Sequence, residues 1–313
     1  MNYYNEIKKE LINNEINKKV KDYSKNKNDL STYYNVGKLL IEAQGGEQKS
    51  TYGNYLIKKY SKKLTLELGK GYSTTNLKYM RQFYLFCQKG QPVVDQLPWS
   101  HYIILLSLND SDKINYYINQ TLKYNLSKRE LRTKIKNNEY ERLDNKTKEK
   151  LVTKEELLPQ DFIKNPILIK NSYNYEIISE KILKKLILED MDNFLTELGE
   201  GFCYIKNEYK IKIGDKYNYI DLLLFNYKYN CFVVVELKVT ELKKEHIGQI
   251  EVYTNYVDKN IRNINQDKTI GIIICKKNDK FVMEYVSDPR IFPSNFVLNQ
   301  YCYPTKRLST LTY

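Results

Sequence analysis

Two short apolar runs, YNYIDLLLF at 217–225 and CFVVVELKV at 231–239, constrain this chain more than any other feature. Each is too short for an ordinary buried helix and too continuous for a loop, so both read as strands of a buried sheet. The five residues between them, NYKYN at 226–230, form the turn. A third strand is expected over Phe202–Ile213, with Gly214-Asp215 turning it into the run at 217–225. Before these strands, residues 175–198 carry the period of one long amphipathic helix, stopped by Gly199 and Gly201. After them, 241–256 returns to helix and 270–275 is a short buried strand.

The first half has no such runs. Ile7, Leu11 and Ile16 recur at helical spacing, as do Val36, Leu39 and Leu40 before Gly45-Gly46. Further helices are expected over 54–68, 76–87, 99–108 and 111–124. Ser127 with Glu130 has the spacing of a capping box opening a helix to about residue 140. Residues 141–172 are highly charged and then interrupted by Pro159 and Pro166. The expected organisation is an all-α domain over 1–150, a linker over 151–172 and a domain with a central mixed sheet over 173–313. The fold class is α+β overall.

The chain has 51 Lys and Arg against 38 Asp and Glu, a formal net charge of +13. Lysine, asparagine, isoleucine and the 30 tyrosines share A/T-rich codons, so part of this excess follows composition. The distribution does not: residues 1–150 carry +12 and residues 151–313 carry +1. That asymmetry points to a polyanion facing the first half. Among its residues Lys123, Lys128, Arg129, Arg132, Lys134 and Lys136 are the expected nucleic-acid contacts, with a solvated lysine face as the alternative. No stretch approaches the roughly 18 consecutive apolar residues of a membrane helix, and the start lacks a secretory-signal profile. The cysteines number 5 and form no C-x-x-C pair, which argues against a disulfide framework or zinc site and for a reducing cytosol. A cytoplasmic protein with no membrane partner is expected.

Asp221 sits inside the first apolar run, and Glu236 and Lys238 sit inside the second. Two apart on a strand, Glu236 and Lys238 leave the same face, and a hairpin brings Asp221 near them. Two carboxylates with the Leu237 carbonyl make a hard oxygen set suited to Mg²⁺, and the ion would polarise a phosphodiester. A nearby ammonium can orient water or meet developing charge. The other reading is a part-buried salt bridge. It leaves a net charge, which a cation resolves better than an apolar core does.

These residues stand within a longer pattern. The segment Phe194-Leu195-Thr196-Glu197-Leu198-Gly199-Glu200-Gly201-Phe202 is followed by Tyr219-Ile220-Asp221-Leu222-Leu223-Leu224-Phe225. Val235-Glu236-Leu237-Lys238 and then Gly248-Gln249 with Tyr253 complete it. The second half thereby resembles a PDDEXK nuclease domain, and more narrowly the YhcG-type family of bacterial PDDEXK nucleases. The first half resembles that family's helical N-terminal domain through Gly69-Lys70-Gly71-Tyr72, Asn76-Leu77, Met80-Arg81-Gln82-Phe83-Tyr84 and Leu97-Pro98-Trp99-Ser100-His101-Tyr102.

The resemblance implies a restriction-endonuclease-like fold and a metal-dependent endodeoxyribonuclease using Mg²⁺ or Mn²⁺. Asp221, Glu236 and Lys238 would be its core, with Asp221, Glu236 and Leu237 on the metal. Gln249 would be a helper near the scissile phosphate. A further glutamate from the first helix is implied, from among Glu180, Glu189 and Glu197, with Glu197 favoured because it lies in the matching ELG motif. One departure is that Asn207-Glu208 stands where related proteins carry an Arg-Gln pair. DNA is the implied partner, with RNA still open, and a homodimer would suit cutting of two strands. Restriction, defence or recombination are the settings such chemistry serves. The alternative is a non-catalytic nucleic-acid-binding or assembly protein on the same fold.

Overall fold

Helical periodicity in the first half and short apolar runs in the second produce two different units in the computed structural model. It describes residues 3–20, 25–46, 50–88, 97–279, 282, 284, 286 and 288–299. Residues 89–96, between the helices expected over 76–87 and 99–108, and residues 300–313 at the end of the expected second domain lie outside the described residues. The chain divides into compact units at Met1–Tyr140 and Glu141–Tyr313.

The first unit is helical, with α1 (Tyr3–Val20), α2 (Lys25–Ala43), α3 (Ser50–Leu68), α4 (Thr74–Gln88), α5 (Trp99–Leu106), α6 (Ser111–Tyr124) and α7 (Lys128–Lys136). One apolar cluster joins Ile7, Leu11, Val36, Leu40, Ile57, Leu64, Leu77 and Met80. Another joins Phe83, Phe86, Tyr102, Leu105, Tyr117, Ile118 and Leu131. Phe83 and Phe86 are therefore core residues rather than free stacking surfaces, and Phe83 meets the rings of Trp99 and Tyr102. His101 is buried, its Nε2 3.0 Å from the Leu126 carbonyl. The expected capping box is present: Glu130 N–H donates to the Ser127 hydroxyl, and Ser127 N–H donates to the Glu130 carboxylate.

The second unit contains α8 (Asn145–Thr153), a 3₁₀ turn at Pro159–Phe162, β1 (Ile167–Lys170), α9 (Glu180–Glu189), α10 (Met191–Leu198), β2 (Phe202–Ile213), β3 (Lys216–Asn226), β4 (Cys231–Leu237), α11 (Lys244–Asn260), β5 (Asp267–Cys275) and β6 (Ile291–Asn299). The six strands lie in the order β1-β6-β5-β4-β3-β2. The β2-β3 and β3-β4 pairs are antiparallel, and β4-β5, β5-β6 and β6-β1 are parallel. Alternation along the strands sends Leu222, Leu224, Val233, Val235 and Leu237 to one face, against Leu183, Leu186 and Ile187 of α9 and Phe194 and Leu198 of α10. Leu223, Val234 and Ile273 go to the other face, against Ile250, Tyr253 and Val257 of α11. The sheet is thus buried on both sides, as near-continuous apolar strands require.

Three expectations change. Residues 151–172 are no linker: β1 lies within them and pairs with β6, and residues 141–150 belong to the second unit. The long helix over 175–198 is two helices, because Asp190 at φ −132° and ψ 50° breaks the turn between them. The strand β6 has no counterpart among the expected elements, since Pro293, Ser294 and Asn295 interrupt its apolar pattern.

Candidate active site

The β3-β4 ladder pairs Asn226 with Cys231 at the turn and runs to Leu222 opposite Val235. Beyond that pair the strands exchange side-chain bonds instead of ladder bonds. Asp221 N–H donates to Glu236 Oε1 at 3.3 Å, and Leu237 N–H donates to Asp221 Oδ2 at 2.9 Å. Each carboxylate therefore satisfies the backbone donor that the parting of the strands releases. Lys238 Nζ lies 3.3 Å from Glu236 Oε2, and its N–H continues the β4-β5 ladder to the Ile274 carbonyl. The structure thus brings Asp221, Glu236 and Lys238 together where two apolar strands separate, with Leu237 between them.

Glu236 is 2 % exposed. Burial, then the Asp221 carboxylate, push its carboxyl up to about 7, against the opposing pull of Lys238. One further charged group meets Asp221 and a second meets that one, and sequence spacing gives no signal for this contact. Lys184 of α9 places Nζ 2.6 Å from Asp221 Oδ1 and 3.3 Å from Glu208 Oε1. Burial works against its ammonium, but Asp221 and Glu208 together outweigh that and raise its pKa. Glu208 lies in β2 between Asn207 and Tyr209, which pair with Leu222 and Ile220, so it stands level with Asp221. Its φ of 49° is a left-handed kink in the strand. The Asn207-Glu208 departure thus puts a carboxylate beside the site, countered by Lys184.

Glu197 is elsewhere. It is buried and bonded to Arg142 at 2.5 and 3.3 Å, with Lys164 Nζ at 3.9 Å and the Leu168 N–H at 3.2 Å. Burial disfavours its charge, but Arg142 and Lys164 hold its carboxyl below the ordinary value. It anchors β1 and the segment before it, so the ELG motif marks a structural clamp. Glu180 opens α9, and its charge acts on His246 of α11, on which Lys238 also acts. Burial first, then Lys238 and Lys243, depress the His246 pKa. Gln249 lies one turn along α11 from His246 and donates to the Tyr253 hydroxyl at 3.0 Å.

In the helical unit, Lys128, Arg129, Arg132 and Lys136 of α7 are exposed, while Leu131 of the same helix is buried. Lys134 is spent on Glu139 at 3.0 Å, and its ammonium also lies over the Tyr124 ring. Lys123 is likewise directed at that ring.

A six-stranded mixed sheet buried between α9-α10 and α11 defines a domain of the restriction-endonuclease-like, PDDEXK-type fold. Residues 160–302 match the YhcG PDDEXK nuclease domain, and residues 7–142 match the DUF1016 N-terminal domain. The chain belongs to this YhcG-type family of PDDEXK nucleases. A relative, "Putative nuclease YhcG" of Escherichia coli (strain K12), is 28% identical over 284 residues, covering 78% of this chain and 76% of the relative. Among solved structures, a repair endonuclease from Pyrococcus abyssi is 20% identical with a TM-score of 0.28, covering 41% of this chain and 50% of that one. An EndoMS complex with double-stranded DNA is 17% identical with a TM-score of 0.31, covering 42% of this chain and 50% of that one. Among the described residues no helix is long and apolar enough to cross a membrane.

Proposed function

We propose that the chain is a Mg²⁺- or Mn²⁺-dependent endodeoxyribonuclease, with its helical unit holding the DNA. The observation that supports this most is the exchange of bonds between Asp221 and Glu236 at the end of the β3-β4 ladder, with Lys238 alongside. Among the described residues no group of three or more His, Cys, Asp and Glu side chains surrounds one point. Two carboxylates suffice for Mg²⁺, which keeps several waters and takes one or two protein carboxylates. Burial first, and then the Asp221 charge, raise the Glu236 pKa despite Lys238; a hard cation between the two carboxylates would favour their ionised forms, and the donor set fits one. Asp221, Glu236 and the Leu237 carbonyl would hold it, and the ion would supply Lewis-acid polarisation of the phosphate and of water.

Lys238 is placed to orient the attacking water and to meet the charge that develops on the phosphoryl oxygens. Gln249 on α11 and Glu180 at the start of α9, whose charge acts with that of Lys238 on His246, are the candidate helpers. The exposed cations of α7 hold phosphates of the duplex. Two copies of the chain would be needed to cut both strands in one encounter; a single copy nicks.

The test is cleavage of linear duplex, single-stranded and four-way-junction DNA with Mg²⁺, with Mn²⁺ and with chelator. Cutting of at least one substrate, only when the ion is present, is expected. No cutting of any substrate with either ion would overturn the reading and leave the DNA-binding alternative.

A pH dependence follows from Glu236. Its carboxyl titrates near 4.5 when unfolded and about 7 in the fold. Between those values the folded state keeps a proton that the unfolded state has lost, so stability falls as pH rises. The cost is absent below about 4.5 and complete above about 7, on the order of 3 kcal/mol. Denaturant melts of metal-free protein should therefore show a loss between pH 5 and 8 that Glu236→Gln removes. Affinity for Mn²⁺, read by calorimetry, should rise over the same range as the proton ceases to compete.

A further inference from the structure

The face of α4 opposite its core residues borders a cleft, and nothing in the nuclease chemistry uses it. Leu77, Met80, Phe83 and Phe86 turn inward. α4 packs tightly on α2 at Gly37, where an added Cβ would fall 2.2 Å from the Met80 carbonyl oxygen. Its approach to α3 is looser, and the gap is a cleft of about 170 Å³ lined by Gly53, Asn54, Ile57, Lys78, Arg81 and Gln82. Two of these six are cations, two are amides and none is acidic.

The cation at its floor is held by design of the surrounding chain. Gln44 is 2 % exposed, and its Oε1 accepts the Arg81 Nε–H at 3.0 Å. Its Nε2 donates to the Gly46 carbonyl at 2.7 Å. Gly53 makes room for this amide, since a Cβ there would lie 2.2 Å from Gln44 Oε1. A buried amide and a glycine on a neighbouring helix thus fix the direction of one guanidinium, while Lys78, on the next turn, remains exposed. A held planar guanidinium beside an exposed ammonium, with amide donors at hand, is a donor set suited to a phosphate oxyanion. The cleft is large enough for a phosphoryl group and too small for a nucleotide. α3 also carries Lys58, Lys59, Lys62 and Lys63, of which Lys63 lies over the Tyr4 ring.

We propose that the α3-α4 cleft of the helical unit, floored by the Gln44-clamped Arg81 and rimmed by Lys78, seats a backbone phosphate of DNA. The inference rests on the DNA-cleaving reading and gives the helical unit a second contact, besides the exposed cations of α7. Because the contact is with the backbone, it sets affinity and register without reading sequence.

The full chain is titrated against several duplexes of unrelated sequence, across a series of salt concentrations. Lys78→Glu, at an exposed position, is expected to fold normally and to weaken every duplex by about ten-fold, with the salt slope reduced by about one. Gln44→Leu, which keeps both cations but releases the Arg81 clamp, is expected to weaken binding several-fold, with thermal melting monitored in parallel. Wild-type affinity and slope in Lys78→Glu would overturn the cleft. An effect confined to one sequence would equally overturn it, since it would mean base reading instead of phosphate seating. Failure of the wild-type chain to bind any DNA would instead remove the reading of the whole protein.

Discussion

Asp221→Ala is expected to lower the single-turnover rate of DNA cleavage by about 10³-fold or more, roughly 4 kcal/mol of transition-state stabilisation. The side chain has several roles at once. It accepts the Leu237 N–H, it meets Lys184, and it raises the Glu236 pKa by its charge. Its loss removes one of the two expected metal carboxylates and lets the Glu236 pKa fall. It also strands Lys184 with Glu208 alone. Stability therefore changes through opposing contributions: a lost backbone bond against relief of two like charges. Asp221→Asn separates them, because the amide oxygen still accepts from Leu237 while the charge is gone. The rate should stay low in both variants, with melting temperatures close to wild type in Asp221→Asn. Recovery of the rate in Asp221→Asn would show that a neutral hydrogen-bond acceptor is all the site needs.

Arg142→Met is expected to cost about 3–5 kcal/mol of stability, the usual consequence of removing one partner of a buried ion pair. Arg142 and Glu197 are 7% and 6% exposed in their side chains, and Arg142 also donates to the Pro166 carbonyl at 2.9 Å. Left behind, the Glu197 carboxylate keeps, among the described residues, Lys164 at 3.9 Å and the Leu168 N–H. The double variant Arg142→Met with Glu197→Leu should recover much of the loss, because no buried charge is stranded. Denaturant melts at pH 7 check both. The same pair decides the role of the ELG motif. Glu197→Gln should lose stability while cutting DNA at the wild-type rate below its melting temperature; a loss of rate without loss of stability would return Glu197 to the site.

Much of the second unit was legible because its strands are buried on both faces. Phe202–Ile213 stands at the expected residues and the turn at 214–215 lies between strands as expected, while the expected turn at 226–230 is shorter by Asn226, which ends β3. That Asp221, Glu236 and Lys238 come together was legible for the related reason that charged residues inside apolar strands need partners. What was not legible comes from contacts distant in sequence. Strand β1 is four residues long and gains its place by contacts far along the chain, pairing with β6 some 130 residues later and bonding Glu197. Lys184 is one of several lysines in an amphipathic helix, and only the packing of α9 over the sheet selects it. Glu197 was drawn to the site by its motif, yet α10 turns it toward Arg142 instead. Single-residue breaks act similarly: Asp190 divides a continuous helical pattern by one non-helical dihedral.

The most direct test of the nuclease centre compares wild type and Glu236→Gln on labelled duplex DNA, under single-turnover conditions with Mg²⁺ or with chelator. Wild type is expected to cut only with the ion, while Glu236→Gln binds the DNA equally well and leaves it intact. Cutting by wild type in chelator, or cutting by Glu236→Gln at the wild-type rate, would contradict the assignment of Asp221, Glu236 and Lys238 as a metal-dependent centre.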